Sequence, residues 1–324
     1  MDTSDPPHPG GLTREHVVWA YRLLLDREPE NEDVIGPKLA GSSNTRELRN
    51  HLMTSREFRD RNPDFAQTND RTVVITELSG AGAPMRLFVD LSDHVIGLNI
   101  VRGSFETEEV AFMRSVLRSG DTALDVGAHI GFFAIQMAAI VGPQGQVHAF
   151  EPLASNADLL ERSVVENHFR DRIIVHRGAV GTRSGSATLT YAAETLNTGG
   201  AYLLRDEADP PIGHLQTTVP LMALDNVEIR HPVRFIKMDV EGAEPQVVRG
   251  AIHMLRTDRP IILSELHSTQ LARASATTIT EFVDLLGSLG YQARDLSGTP
   301  VVGTSFERLP SVVFWPDALR EGHQ

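Results

Sequence analysis

The 324-residue chain is predicted to be an α/β protein, with a doubly wound, mostly parallel sheet that follows a small N-terminal all-α domain. From about Thr72 onward, strand-like and helix-like segments alternate, which is the order that builds a parallel sheet. Strands such as FIKM and PIIL are apolar on both faces, as a sheet covered by helices requires. Before Thr72, apolar residues such as Val17, Tyr21 and Leu24 follow the helical period.

The N-terminal block is expected to divide into a tail and a helical domain. Residues 1–10 are acidic and rich in proline, which predicts a disordered tail and no signal peptide. Residues 11–65 form the helical domain, and the polar RNPDFAQTND leads into a second domain at residues 66–324. Capping-box spacing opens two of the helices, at Asn44 with Glu47 and at Thr54 with Glu57.

The second domain is predicted to open with a pair of strands and to continue with alternating elements. Its strands are TVVITEL, MRLFVDL, TALDV, QVHAF, RIIVHRGAV, SATLTYA, VRFIKMDV and PIILSEL, and Tyr291–Leu296 and Ser311–Trp315 close the sheet. Its helices cover Ile130–Ile140 and Ser155–His168, then the apolar faces Val247–Leu255 and Ile279–Leu289. The long polar segment Glu194–Pro220 is predicted to be a functional loop.

The composition excludes several classes of partner. The net charge of −13 opposes binding to nucleic-acid phosphates or anionic lipid, so small or neutral partners are expected. The chain has no cysteine, which rules out disulfides, thiolate nucleophiles and cysteine-ligated zinc. No apolar run approaches the roughly 20 residues of a membrane span. We therefore expect a cytoplasmic location. The sequence leaves open whether the chain forms a homodimer.

The glycine turn in LDVGAHIG predicts a nucleoside site. It follows a strand and opens a helix, and Gly127 and Gly131 let the backbone approach a ligand closely. About 20 residues later, Glu151 ends the next strand, where an acid can accept hydrogen bonds from ribose hydroxyls. The middle glycine of a dinucleotide turn is missing, and the Asp125 carboxylate would repel a pyrophosphate. A ligand with an ammonium and a sulfonium would be attracted, which favours S-adenosylmethionine over NAD.

The second domain contains the motifs LDVGAHIGFFA, VHAFEPLASN, GAVGTRSGSATL, VPLMALD and FIKMDVEGAEPQVVRGA. In these motifs it resembles the FkbM-type S-adenosylmethionine-dependent methyltransferases, over about residues 72–270. It implies a Rossmann-like class I methyltransferase fold and O-methylation of hydroxyls on sugars, glycans or glycosylated natural products. It also implies cofactor contacts for His129, where the family usually has asparagine, and for Ala179. Glu106, ahead of the turn, is a further cofactor-binding candidate.

The N-terminal helices carry a second resemblance. The stretch AYRLLLDREPENEDV and the end LMTSREF are similar to a small helical domain that is often attached to enzymes modifying sugars and glycans. This resemblance implies a biological context, the modification of sugars and glycans, and it assigns no reaction to the helical domain itself.

Four side chains at neighbouring strand ends are the catalytic candidates. Methyl transfer needs the acceptor oxygen held in line about 3 Å from the methyl group, with a base or a metal to activate it. Asp239 and Glu241 follow one strand, and Glu265 and His267 follow the next. Either His267 is the general base, or Asp239, Glu265 and His267 bind Mg²⁺ or Mn²⁺. Asn197 is expected to hydrogen-bond a small-molecule or glycan acceptor.

Two other classes of function stay open at the level of sequence. A nicotinamide-dependent oxidoreductase would use the same strand–turn–helix, although the middle glycine that binds its pyrophosphate is missing. A non-catalytic binding module in glycan assembly would keep the fold but would not catalyse methyl transfer. The retained set of Asp125, Glu151 and Asp239 opposes that interpretation.

Overall fold

The computed structural model describes residues 12–42, 44–53, 55–61, 72–79, 84–93, 96–192, 199–204, 213–303, 306, 309 and 311–317. The chain divides into two units, Met1–Arg71 with Pro211–His214, and Thr72–Pro210 with Leu215–Gln324. The predicted tail and the predicted domain boundary after residue 65 lie outside the described residues.

The first unit is helical and has a hydrophobic core of its own. Its helices are α1 (Arg14–Leu25), α2 (Glu32–Ala40), α3 (Thr45–Met53) and α4 (Arg56–Arg61). Thr13 caps α1, because its Oγ1 accepts from the His16 N–H and the His16 ring accepts from the Thr13 N–H. The core that joins the helices contains Val17, Tyr21, Leu25, Ile35, Leu48, Leu52 and Phe58.

One of the two predicted capping sites of this unit lies in the described part. At the start of α3, Asn44 Oδ1 accepts a hydrogen bond from the Glu47 N–H at 3.0 Å, which confirms the predicted cap. Thr54 lies outside the described residues. Its predicted partner Glu57 binds Arg27, with 2.6 Å between Oε2 and Nη2.

The second unit is built on a seven-stranded, mostly parallel sheet, which confirms the predicted fold class. The strands are β1 (Val73–Leu78), β2 (Met85–Asp90), β3 (Thr122–Val126), β4 (Gln146–Phe150), β5 (Ile173–His176), β6 (Ala179–Val180), β7 (Gly185–Ala192), β8 (Tyr202–Leu203), β9 (His214–Met222), β10 (Val233–Met238), β11 (Ile261–Glu265), β12 (Tyr291–Arg294) and β13 (Ser311–Pro316). The large sheet has the order β12-β13-β11-β10-β3-β4-β5, and its only antiparallel pairings are those of β13 with β11 and with β12.

Helices cover both faces of this sheet. They are α5 (Gly97–Val101), α6 (Thr107–Val116), α7 (Phe132–Val141), α8 (Ala154–Glu166), α9 (Glu244–Arg249), α10 (Ile252–Thr257), α11 (Ser268–Ser275) and α12 (Ile279–Ser288). Successive strand residues alternate between two buried clusters, so Phe235 belongs to one and Ile236 to the other. This two-sided burial is the reason the strands are apolar on both faces.

Two smaller sheets accompany the large one. β1 and β2, which confirm the predicted opening pair of strands, pair with each other antiparallel. The other small sheet has the order β6-β9-β7-β8. The predicted strand RIIVHRGAV is therefore wrong as a single element, because β5 joins the large sheet and β6 the small one. Gly178 lies between them, where a Cβ would come within 2.9 Å of the Pro220 carbonyl oxygen.

Two further predictions of secondary structure need correction. The single helix expected after β10 is divided into α9 and α10 at Gly250, where a Cβ would lie 2.0 Å from the Gly181 carbonyl oxygen. The predicted loop Glu194–Pro220 contains β8 and most of β9. Helices α5, α6 and α11 also had no counterpart in the prediction. No helix in the described part of the chain is long and apolar enough to cross a membrane.

A substitution in the core of the helical unit is expected to destabilise that unit without destabilising the large sheet. Leu25 on α1 is 1% exposed, whereas Leu23 on the same helix is 77% exposed. Leu25→Ala is expected to cost about 2–5 kcal/mol, as truncations of buried leucines do, and Leu23→Ala close to nothing. Hydrogen exchange should show α1–α3 losing protection in Leu25→Ala while β3 and β4 keep theirs. A parallel loss in β3 and β4 would show that the two units unfold together.

Candidate active site

The glycine turn between β3 and α7 brings three strand ends together. Gly127 has a φ of +87°, and a Cβ there would lie only 1.8 Å from the carbonyl oxygen of Asp239, after β10. The N–H groups of Gly127 and Ala128 both donate to the carbonyl of Phe150, at the end of β4, at 3.0 and 2.9 Å. Glycine is required at this position because the approach of the two backbones leaves no room for a side chain.

The second glycine of the turn has a packing role. Gly131 has a φ of +91°, and a Cβ there would lie 2.3 Å from Cδ1 of Leu160 on α8. The packing of α7 against α8 thus explains the need for this glycine. Its contact with a cofactor stays a prediction.

Glu151 is fixed by the backbone around it. Its Oε2 accepts from the His129 N–H at 2.8 Å, and its Oε1 accepts from the Leu153 N–H at 2.9 Å. Asn156 Nδ2 lies 3.4 Å from the same Oε1. Burial raises the pKa of Glu151 to about 7, although these hydrogen bonds act in the opposite direction. The acid therefore holds the glycine turn closed and has a fixed orientation.

Asp125 carries an unsatisfied polar atom. Its side chain is buried, and within the described residues its Oδ2 has no hydrogen-bond partner. Burial raises the pKa of this carboxyl to about 7, while the positive charge of Lys237 lowers it in part. A buried polar atom without a partner calls for an explanation, and a bound ligand is one.

An open cavity lies at these strand ends, with about 930 Å³ of empty space when the solvent at its mouth is included. Four phenylalanines give it apolar walls: Phe105, Phe132, Phe133 and Phe150. Eight predicted site residues line it, namely Glu106, Asp125, Gly127, His129, Glu151, Ala179, Asp239 and Glu241. Gly131, Glu265 and His267 are not among the described lining residues, and Asn197 lies outside the described part.

A buried lysine lies between two of the lining acids. The Lys237 Nζ is 3.2 Å from Glu106 Oε2 and 3.4 Å from Asp239 Oδ2, and it lies over the ring of Phe133 at 4.9 Å. Burial alone would lower the pKa of Lys237, but the charges of Asp239 and Glu106 outweigh burial and raise it. Burial raises the pKa of Glu106 to about 7 despite the lysine.

Glu241 belongs to the turn that follows β10. Gln270 on α11 donates a hydrogen bond to its Oε2, and the Arg273 guanidinium is 3.9 Å from the same oxygen. Burial raises the pKa of Glu241 to about 8, and the nearby charge of Asp239 adds to the effect. As a carboxylate, which becomes the main form as the pH rises through about 8, Glu241 is therefore a stronger base than an ordinary glutamate.

Glu265 and His267 form a pair after β11. His267 Nε2 lies 2.8 Å from Glu265 Oε1, because residues two positions apart in extended chain project to the same side. Burial raises the pKa of Glu265, and the charge of Asp239 acts in the same direction. The His267 side chain is 46% exposed. Its assignment as the general base stays a prediction.

The metal alternative finds no support in the described residues. No group of three or more histidine, aspartate or glutamate side chains in the described ranges is arranged to hold a metal ion. Asp239, Glu265 and His267 are thus not brought together as a ligand set.

Lys237 is the site residue that the sequence reasoning missed. A signal was present, because a lysine stands in the otherwise apolar strand FIKM, two positions before Asp239. Alternation along a strand places residues two apart on the same face. From the sequence, this strand is apolar on both faces, and Lys237 is not among the predicted site residues.

The family model described as "Methyltransferase FkbM domain" matches residues 125–293, which is more than half of the chain. This chain belongs to the FkbM methyltransferase family. Membership implies methyl transfer from S-adenosylmethionine and confirms the resemblance found in the sequence. The matched range begins at Asp125 and contains the glycine turn, Glu151, Asp239 and Glu241. No curated protein matches the chain in sequence.

The solved structures that match the chain are distant in sequence. An FkbM methyltransferase from Methylobacillus flagellatus is 15% identical, with a TM-score of 0.41, and the match covers 92% of this chain and 58% of that one. Fibrillarin from Aeropyrum pernix, solved with natively bound S-adenosyl-L-methionine, is 16% identical with a TM-score of 0.39, covering 76% and 85%. An S-adenosylmethionine-dependent O-methyltransferase from Thermotoga maritima is 14% identical with a TM-score of 0.37, covering 76% and 79%.

The glycine turn offers a matched pair of substitutions. Gly127 and Gly120 have similar φ values, +87° and +91°, but a Cβ at Gly120 meets nothing within 4 Å. Gly120→Ala is expected to cost about 1–2 kcal/mol for the left-handed backbone alone. Gly127→Ala is expected to cost clearly more, because its Cβ would collide with the Asp239 carbonyl. Urea unfolding of both variants measures the difference, and equal losses would argue against the close approach of the two strand ends.

Proposed function

We propose that the chain is an S-adenosylmethionine-dependent O-methyltransferase that acts on a hydroxyl of a sugar, a glycan or a glycosylated natural product. The observation that supports this proposal is the cavity at the ends of β3, β4 and β10, whose lining contains both the glycine turn and several carboxyl groups. Family membership supports the reaction class. An acidic lining suits an uncharged acceptor better than an anionic one.

The residues of the glycine turn fit the cofactor. Asp125 has a buried carboxylate oxygen without a described hydrogen-bond partner, which suits the cationic part of S-adenosylmethionine. Glu151 Oε2 accepts one described hydrogen bond, from the His129 N–H, so it has a lone pair left for a ribose hydroxyl. Glu106 and Ala179 complete the proposed cofactor set. The bound cofactor supplies an electrophilic methyl group.

Two acids after β10 are proposed to act on the acceptor. Glu241 takes the proton of the acceptor hydroxyl, because its raised pKa makes it a stronger base than an ordinary glutamate. Asp239, two residues earlier and lining the same cavity, orients that hydroxyl. Glu265 and His267 are proposed as the alternative base pair, since they follow the neighbouring strand β11.

A turnover screen tests the proposed function. The full chain is incubated with methyl-labelled S-adenosylmethionine and with neutral glycosides, glycans and glycosylated natural products, with and without Mg²⁺. A labelled methyl ether on one of these acceptors is the expected result. Cofactor binding without turnover on any acceptor would favour a binding module. Failure of the wild-type chain to bind the cofactor would overturn the proposal.

Glu151→Ala is expected to weaken cofactor binding roughly 10- to 100-fold. The variant loses charge-assisted hydrogen bonds, each worth about 1.5–3 kcal/mol. Isothermal titration calorimetry measures the effect, and Glu108→Ala, which removes an exposed acid on α6, is the control for the lost charge. Glu151→Gln keeps one acceptor oxygen and should be less affected. Unchanged affinity in Glu151→Ala would refute the assignment of the ribose contact.

Glu241→Gln is expected to lower the rate of methyl transfer about 10²- to 10⁴-fold with little change in cofactor affinity. Because the Glu241 pKa is raised to about 8, the carboxylate form gains population as pH rises. The wild-type kcat/KM should therefore increase through about pH 8, and the variant should lack this increase. Profiles of wild type, Glu241→Gln and His267→Ala measure it. A profile altered by His267→Ala instead would reassign the base, and loss of activity with EDTA would restore the metal alternative.

A further inference from the structure

The only described lysine in the lining of the cavity has a buried ammonium group. The Lys237 side chain is 3% exposed and stands on β10, the strand next to β3 in the large sheet. Its neighbours Ile236 and Met238 are buried apolar residues. A buried ammonium is costly unless it is paired, so the partners of Lys237 are part of the reason it is tolerated there.

These partners come from two separate segments of the chain. Glu106 precedes α6 and has a left-handed backbone with a φ of 42°, a conformation that few residues other than glycine adopt. Its Oε2 is buried and lacks a hydrogen bond in the described residues, while Lys237 Nζ is 3.2 Å away as an ion-pair partner. Asp239 follows β10, and its Oδ2 is 3.4 Å from the same nitrogen.

We propose that Lys237 is a positioning residue, whose ammonium holds the Glu106 and Asp239 carboxylates at the cavity and so joins the turn before α6 to the end of β10. The inference deepens the proposed function and rests on it, because Glu106 belongs to the proposed cofactor set and Asp239 to the acceptor side. The buried ammonium of Lys237 then holds one carboxylate of the cofactor set and one carboxylate on the acceptor side of the methyl transfer.

The acidic groups around Lys237 determine which pKa values should change when the lysine is removed. Asp125 and Glu265 also act on the lysine, in addition to Glu106 and Asp239. Lys237 in turn lowers the pKa of Glu106 and of Asp125, in opposition to burial, which is the larger effect in both. Without the ammonium, both carboxyl groups should therefore titrate at a higher pH than they do in the wild type.

The test uses the ligand-free full chain with ¹³C-labelled glutamate and aspartate side chains, titrated by NMR. Glu106→Gln identifies the Glu106 signal. Lys237→Met is expected to move the Glu106 midpoint upward by about one pH unit or more, which is the usual effect of an opposite charge at this range. Lys237→Arg should stay close to the wild type. Arg259→Met removes a cation that lies over Tyr291, outside the described lining of the cavity, and should leave the midpoint unchanged.

A second variant keeps the test decisive if Lys237→Met does not fold. Lys237→Gln retains hydrogen-bonding ability without charge and should give the same upward shift. A folded neutral variant with an unchanged Glu106 midpoint would overturn the inference. Cofactor binding is measured on the same proteins, and at pH 7 the neutral variants should bind about tenfold more weakly, while Lys237→Arg and Arg259→Met bind as the wild type does. Absence of cofactor binding by the wild type would refute the proposed function and leave the NMR result valid.

Discussion

The site depends on the close approach of two strand ends, those of β3 and β10. They are neighbours in the sheet, but the chain proceeds from β3 to β4 and β5 on one side and from β10 to β11 on the other. At such a switch point the connections leave in opposite directions and open a crevice beyond the carboxyl ends of the strands. Gly127, in the lining of this crevice, lets the two backbones meet, because a side chain there would collide with the carbonyl of Asp239.

Burial of carboxyl groups in this crevice sets its electrostatic character. Glu106, Asp125, Glu151 and Glu241 all have a pKa raised mainly by burial, and Lys237 is the one described lysine among the lining residues. A cationic ligand would stabilise the ionised forms of these acids, whereas a phosphate-bearing ligand would meet repulsion. The preference for a sulfonium cofactor over a dinucleotide thus follows from the whole lining, and the missing glycine is only one part of it.

The sequence predicted the parts of this arrangement that local pattern determines. Asp125, Glu151 and Asp239 come directly after or near the ends of apolar runs, and parallel strands bring such ends to one edge. The break at Gly250 could not be predicted, because the apolar period continues across it and the close approach of Gly181, far away in sequence, exists only in the folded chain. The role of Lys237 was also hidden, since its partner Glu106 precedes β3 and meets it only in the folded chain.

The hydrogen bonds of the buried acids divide them into two groups with different roles. Glu151 accepts from the backbone of its own site, and Glu244 does the same for the turn after β10, where the Val240 and Gly242 N–H groups lie 3.2 and 3.3 Å from its Oε1. These acids fix the shape of both turns before any ligand arrives. Asp125 Oδ2 has no such partner in the described residues. The unsatisfied oxygen of Asp125 is a group whose burial a ligand must offset, whereas the hydrogen bonds of Glu151 shape the turn and also fix the direction of the oxygen that is proposed to meet the ribose.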